Sequence, residues 1–482
     1  MSRSPLLRVM LVAGAAMFSA NAIAAQAFPA AVAEMQKAAL EDRRAYETLR
    51  SLTEQVGNRL AGTVNDWKAV EWAMKTLQAQ GFSRVRYEKV TVPRWTRGTA
   101  SVQLLGDQPV DLAALALGGS IGTGGQPIEA GIVAVTTVDE LERMSRDEVA
   151  GRIVFLYDRM LETRNGMDYG PTVRNRRDGA IAAAKLGAVG VVIRAVGSED
   201  EDRPHTGAMN YANGVPRIPA FAIGNRSADR VLAAYARGPV RLRLASTARC
   251  EAPAISANVI GEIPGRGPGN GAAEEFVLLA AHLDSWDVGT GAQDDGAGVV
   301  TVIEAARRVG EMPQRPQRSL RVVLYANEEF GLSGGDRYAL EHEAELPRHH
   351  SAIEADLGAG RAFAFESSVQ PADVSGVMRM SDLLRPLGVP YQGNDGGGGA
   401  DIGPLHDRGV PVFGLQHDAS KYFEIHHTEA DRIDRVAPAD LAFNVAAYAT
   451  VAWALADGPA LSRGERTWPE AENSVHPCEW RP

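Results

Sequence analysis

Two histidines and three carboxylates recur along the second half of the chain at positions suited to metal binding: His282, Asp294, Glu329, Asp356 and His427. Asp284 and Glu328 stand beside the first and third of them. Each follows an apolar run that reads as a strand, or lies in the loop just after one. An α/β protein gathers such distant residues along the carboxyl edge of its sheet. Five ligands are one too many for a single catalytic zinc, and they suit two zincs sharing a carboxylate.

The neighbours sharpen this reading. His282 and Asp284 are two apart, so on extended backbone they point to one side, and Asp284 is expected to orient a metal-bound imidazole. Asp294 and Asp295 sit in the glycine-rich loop from Gly289 to Gly298, which runs into a helix start. One aspartate can serve as a bridging ligand while the other stands near the N-cap. Glu328 and Glu329 follow a strand, and adjacent acids there repel until one turns neutral or a cation arrives. The chemistry expected is Glu329 on metal and Glu328 as general base toward water. The last imidazole is His426 or His427, and the residues alone do not choose.

These groups need a scaffold. From 255 onward the pattern alternates: strand at Glu275 to Ala281, helix at Gly296 to Val309, strand at Ser319 to Ala326, helix near Gly334 to Leu340. That alternation predicts a mostly parallel sheet covered by helices on both faces. The first segment reads as helix, helix, strand. Asn65 is its expected N-cap, Asp66 to Ala79 a helix and Val85 to Val92 a strand. Between 105 and 248 the chain is rich in Gly, Ala and Val, with short strand-like runs, a helix from Arg177 to Leu186 and a single histidine, His205. This stretch reads as a separate β-rich module inserted into the first domain. The fold class expected is α/β, a mostly parallel mixed sheet flanked by helices and interrupted by that insert.

Length and charge set further bounds. The chain has 482 residues and a net charge of -10. Residues 1–24 read as a signal peptide: Arg3 and Arg8, an apolar run from Val9 to Phe18 too short to span a bilayer, then Ala20-Asn21-Ala22 and Ala22-Ile23-Ala24 as cleavage sites. Losing two arginines and no acid takes -10 to about -12. An acidic, exported chain (periplasmic or secreted) is a poor binder of nucleic acid or anionic lipid. No later stretch reads as a membrane span, so no membrane partner is expected after signal removal. Cys250 and Cys478 are the only cysteines, and an oxidising compartment permits one disulfide between them, although nothing in sequence fixes their separation.

The series His282-x-Asp284, Gly291-Ala292-x-Asp294-Asp295, Asn327-Glu328-Glu329-x-Gly331, Asp356 and His427-Thr428-x-x-Asp431 resembles the co-catalytic dizinc aminopeptidases and glutamate carboxypeptidases. It is most similar to their carboxypeptidase Q branch. There the added likeness lies in His282 to Gly289, Pro204-His205-Thr206-Gly207, Gly214 to Pro219 and Asn58 to Thr63. The resemblance implies a zinc exopeptidase fold and a protease-associated insert at 105–248, between peptidase segments 25–104 and 249–482. It implies two zinc ions per chain, His282 and Asp356 serving one, Glu329 and His427 the other, with Asp294 as the bridge. The ligating histidine becomes the one before Thr428, namely His427, leaving His426 as an oxyanion donor or a group behind the ligands. The run Gly396 to Asp401 resembles a substrate-cleft loop. A peptide substrate, dipeptides in particular, and a homodimer are further implications. Two other readings compete: a non-catalytic binding protein on the same scaffold, and a single-zinc acyltransferase resembling glutaminyl cyclases.

Overall fold

The computed structural model describes residues 30–267, 274–465 and 474–478. The signal-peptide reading falls on residues outside these. The central sheet has eight strands, in the spatial order Ser83–Thr96, Arg249–Ile263, Ser319–Tyr325, Phe276–His282, His349–Glu354, Val412–His417, Ala362–Ser368 and Tyr391–Gly393. Phe276–His282 runs parallel to both its neighbours, and His349–Glu354 runs parallel to Val412–His417. The pairings that flank this parallel centre are antiparallel, and the outermost, Ala362–Ser368 with Tyr391–Gly393, is parallel again, so the sheet is mixed.

The centre is parallel because it is covered twice. Val277, Leu279 and Ala281 pack into a cluster with helices Ala297–Gly310 and Pro438–Asp457, whereas Leu278 and Ala280 face a second cluster with Tyr338 and Ala339. Continuous apolar strands such as Phe-Val-Leu-Leu-Ala-Ala are what two covered faces demand. Gly298 lets the first of these helices approach the sheet, since a Cβ there would stand 2.0 Å from the Ala355 carbonyl oxygen.

Pro438–Asp457 corrects one expectation. At 20 residues and a mean hydropathy of 1.3 it is long and apolar enough to cross a membrane, yet 83% of it is buried inside the protein. Its apolarity on all sides reflects a core position.

A second eight-stranded sheet occupies residues between Ala100 and Ser246. Four of its strands, Ile128–Val135, Ile153–Leu156, Gly190–Arg194 and Ala220–Ile223, pair in parallel, and helices Tyr169–Lys185 and Asn225–Tyr235 flank it. The segment is therefore an α/β layer, more helical than the β-rich reading. The first of these helices begins two turns before Arg177, with Pro171 in its first turn; proline is tolerated there because its N–H would have no intrahelical partner. Similarly, helix Val64–Ala79 is capped by Thr63, not Asn65, with the Thr63 hydroxyl accepting from the Asp66 N–H at 3.2 Å.

Cys250 and Cys478 form a disulfide. Ser474–Val475 pairs with Tyr211–Ala212 in a separate two-stranded sheet, so the tail touches the segment that carries the second sheet as well as the first sheet.

Candidate active site

Every ligand-type residue emerges at the carboxyl end of a parallel strand. His282 closes Phe276–His282, Glu328 and Glu329 follow Ser319–Tyr325, Asp356 follows His349–Glu354, and the helical turns after Val412–His417 deliver His426 and His427. Asp294 comes from the loop ahead of Ala297–Gly310.

Asp294 stands at the centre of this group. Its Oδ1 is 3.1 Å from His282 Nε2, and its Oδ2 is 3.1 Å from His427 Nε2. His282 Nε2 also lies 3.3 Å from Asp356 Oδ1, and His427 Nε2 lies 2.9 Å from Glu329 Oε2. The donor atoms of His282, Asp294 and Asp356 all fall within 4.8 Å of one another, as do those of Asp294, His426 and His427. The structure thus brings together the five residues singled out from sequence, in two groups that share Asp294.

The two adjacent histidines divide by geometry. His427 adopts a left-handed φ of 60°, rare for a residue with a side chain and common where function fixes the backbone. That turn aims its Nε2 at both Asp294 and Glu329. His426 stacks on it, ring centroids 3.5 Å apart, and reaches only Asp294 Oδ2, at 3.4 Å.

Asp284 approaches the ring with its backbone as well as its carboxylate: the strand ends at His282, and His282 Nδ1 meets the Asp284 carbonyl oxygen at 3.2 Å. The Asp284 carboxylate stands 3.7 Å away and also accepts the Glu328 N–H at 3.0 Å. Asp295 accepts from the His282 and Gly298 N–H groups, holding strand end and helix start together.

Buried negative charge dominates the electrostatics. Burial, opposed by His282 and reinforced by Asp356, Asp284 and Asp294, pushes Glu328 well above the usual carboxyl range. Glu329 is raised likewise, by burial and by Asp294. Burial opposes protonation of His282, but Asp356, Asp284 and Asp294 outweigh it and hold the imidazole well above its ordinary value. His427 is pushed down to about 4 by burial. Glu329 Oε1 and Asp284 Oδ2 are buried without a hydrogen-bond partner. Oxygen and imidazole donors packed this closely, with so few cations among them, match a site for divalent metal.

Several supports have no role assigned in the sequence reading. Arg59 is 0% exposed and donates to the carbonyl oxygens of Leu283, Thr290 and Gly291, tying the His282 loop to the Asp294 loop. Gly291 must be glycine here: its φ is +60°, and a Cβ would stand 2.6 Å from Arg59 Nη1. Asp431 Oδ1 accepts from the Gln293 N–H at 2.6 Å and Oδ2 from the Asp294 N–H at 3.1 Å. From the second sheet, the Thr206 carbonyl oxygen lies 3.2 Å from His427 Nδ1, which fixes that nitrogen as the proton carrier and frees Nε2. Arg59 and Asp431 lay inside quoted motifs; their long-range partners were the missing signal.

Two cavities meet at Asp356 and Leu357. One, about 430 Å³, is lined by Glu328, Glu329, His426 and His427 on one wall and by Tyr169, Arg176 and Arg177 of the second sheet's helix on another. The other, about 340 Å³, runs beneath Gly397, Gly398 and Gly399, within the glycine run expected to form a cleft loop.

The sequence profile of peptidase family M28 matches residues 258–452. Carboxypeptidase Q from Xenopus laevis is 35% identical over 415 residues, 86% of this chain and 86% of the relative. The Homo sapiens carboxypeptidase Q is 34% identical, covering 86% and 85%. Among solved structures, a peptidase M28 precursor from Shewanella amazonensis SB2B superposes with a TM-score of 0.87 at 42% identity, covering 92% of this chain and 99% of that one. BSAP, a zinc aminopeptidase from Bacillus subtilis, shares the fold with a TM-score of 0.61 at 21% identity, covering 86% and 97%. This chain belongs to peptidase family M28. It is a zinc metallopeptidase, similar to the carboxypeptidases Q along most of its length.

Proposed function

We propose that the enzyme is an exported dizinc exopeptidase acting on dipeptides or short peptides with free N-termini. The observation that carries this reading is Asp294, whose two oxygens each stand 3.1 Å from a different imidazole, as a bridging carboxylate requires. His282 and Asp356 would hold one zinc, and Glu329 and His427 the other. The partnerless, buried Glu329 Oε1 is consistent with that ligand set. Zinc bound there supplies Lewis acidity that polarises the scissile carbonyl and acidifies the attacking water.

The chain's own groups do the rest. Glu328 takes the proton from water and passes it to the leaving amine. Asp284 positions it by accepting its N–H, while the Asp284 carbonyl steadies His282. His426, held neutral by burial and by His427, is placed to donate to the tetrahedral oxyanion. Asp356 and Glu328 offer negative charge to a substrate's α-ammonium. The sheet between Ala100 and Ser246 is read as the protease-associated insert. The Cys250–Cys478 disulfide supports an oxidising compartment, hence export.

Unblocked, N-blocked and C-blocked dipeptides, assayed with metal analysis on the same preparation, test this reading. Cleavage confined to free N-termini with two zincs per chain is expected. One zinc, with cyclisation of N-terminal glutamine, would sink it in favour of an acyltransferase.

A further inference from the structure

The turn that bears Glu328 and Glu329 has a side-chain-bearing residue at left-handed φ on each flank, Asn327 at 62° and Leu332 at 56°. A turn of that kind persists only where its surroundings hold it. Asp284 holds the Glu328 N–H, and the Asn327 side-chain amide holds the Phe330 carbonyl, each at 3.0 Å. A further hold falls on the Phe330 ring, directly after Glu329. That ring is buried in a cluster with Trp95 and Trp286, at centroid distances of 6.4 and 6.1 Å. A third ring, His476 of the tail, meets it edge-on at 4.4 Å.

The tail is fastened on several sides around that contact. Cys478, two residues beyond His476, is bonded to Cys250, and Ser474–Val475 just before it pairs with Tyr211–Ala212. Pro477 is buried over Gly119, where a Cβ would stand 2.3 Å from Pro477 Cγ and 3.2 Å from Phe330 Cε2. His476 Nδ1 accepts the Cys478 N–H at 3.2 Å, which fixes the ring. Gly331, on the wall of the catalytic cavity, has φ +128°, and a Cβ there would stand 2.9 Å from His476 Cδ2. None of residues 474–478 lines that cavity or the one beside it. Burial lowers the His476 imidazole to about 4, so the ring is neutral at neutral pH. Its leverage is therefore on Phe330, with no contact to substrate.

We propose that the tail is a positioning strap for the reaction: His476, locked in place by the Cys250–Cys478 disulfide, presses on Phe330 and holds Glu328 and Glu329 where they work. This rests on the reading of Glu328 as base and Glu329 as ligand, and adds a support to both. Phe330 is one peptide from Glu329 and two from Glu328, so a shift of its ring passes to both carboxylates. Misplacement by about 1 Å can cost on the order of a hundredfold in rate. The cross-link thereby governs turnover as well as stability.

The test follows Ala-Leu hydrolysis at saturating zinc, with zinc content and melting temperature read on each preparation. His476→Ala keeps the disulfide and should lower kcat by roughly tenfold, with KM nearly unchanged because the ring touches no substrate. His476→Phe retains a flat ring against Phe330 and should restore most of that loss. Cys250→Ser combined with Cys478→Ser frees the strap and should lower kcat by roughly ten- to a hundredfold well below the melting temperature. Amide hydrogen exchange at Gly331 and Leu332, whose N–H groups donate to the Glu328 carbonyl, should quicken in His476→Ala and in the double variant. Unchanged kcat in both, or a His476→Phe protein as slow as His476→Ala, overturns the strap and leaves the peptidase reading standing. A fall matched by lost zinc also overturns it, because the tail would then support metal binding alone. Failure of the unaltered enzyme to cleave Ala-Leu removes both readings.

Discussion

Thr206 and His427 grip one another twice: the Thr206 N–H donates to the His427 carbonyl at 3.1 Å, and its carbonyl faces His427 Nδ1 at 3.2 Å. Two residues 221 apart in sequence thus lock both the backbone and the ring of one candidate ligand. The second sheet is not a spectator to the metal site.

His427 and His426 are the pair to separate first. His427→Ala should lower zinc from two to about one per chain and abolish turnover. His426→Ala should keep two zincs and lower kcat by roughly ten- to a thousandfold, the range for losing one oxyanion donor. Metal analysis and kcat on the same preparations decide; the reverse pattern would exchange their roles.

Glu328→Gln removes the proposed base with little change in shape. Turnover should fall by roughly a hundredfold to ten-thousandfold while zinc content holds. Steady-state kinetics beside metal analysis measure both, and undiminished turnover would exclude Glu328 as the base.

Asp431 clamps the bridging loop without reaching the metals. Asp431→Ala leaves two buried N–H groups, of Gln293 and Asp294, without acceptors. Each costs about 1–3 kcal/mol, and zinc affinity should weaken roughly ten- to a hundredfold because Asp294 is no longer held. Chelator competition reads the affinity, and thermal melts read the stability.

The metal-free protein should lose stability between pH 6.5 and 8. Burial raises Asp66 and Asp431 to about 7 and Glu354 to about 8, so the folded state keeps protons that the unfolded chain sheds. Their contribution is full below pH 4 and disappears as pH climbs through those values. His349, lowered to about 3, and His350 and His417, lowered to about 4, act oppositely, but only below the unfolded histidine value near 6.5. Above it the raised acids count, and His282, held well above its ordinary value by the carboxylates around it, acts in the same direction. Melting temperatures in chelator across this window should fall, and zinc should flatten the slope; a rising curve would contradict the assignment.

The candidate ligands were legible because each lies at the end of an apolar strand or in the connection that follows one, where type and position coincide. The parallel centre of the sheet was legible for the same reason: Phe276 to His282 reads as a doubly covered strand with no polar alternation. Arg59, Asp431 and Arg176 were not, since their partners lie far away in sequence and nothing local marks them. His426 and His427 were indistinguishable because only the left-handed turn at His427 aims one ring at Glu329. The Thr63 cap escaped because Asn65 is an equally good capping residue, and the early start of helix Tyr169–Lys185 because Gly170 and Pro171 are poor helix formers.

The edge strand Ser83–Thr96 pairs with Arg249–Ile263, with Thr96 opposite Arg249. In time, those partners are far apart. The ribosome makes the first strand and then, at about 5–20 residues per second, needs roughly 8–30 s to reach the second. Throughout that interval the strand lacks its pairing partner, while the intervening sheet draws all its pairings from residues between Ala100 and Ser246. The inserted layer is therefore expected to fold first, bringing Thr96 and Arg249 together as it closes. Cys250 finds its partner only after a further 228 residues, so the cross-link cannot form before the inserted layer has been made.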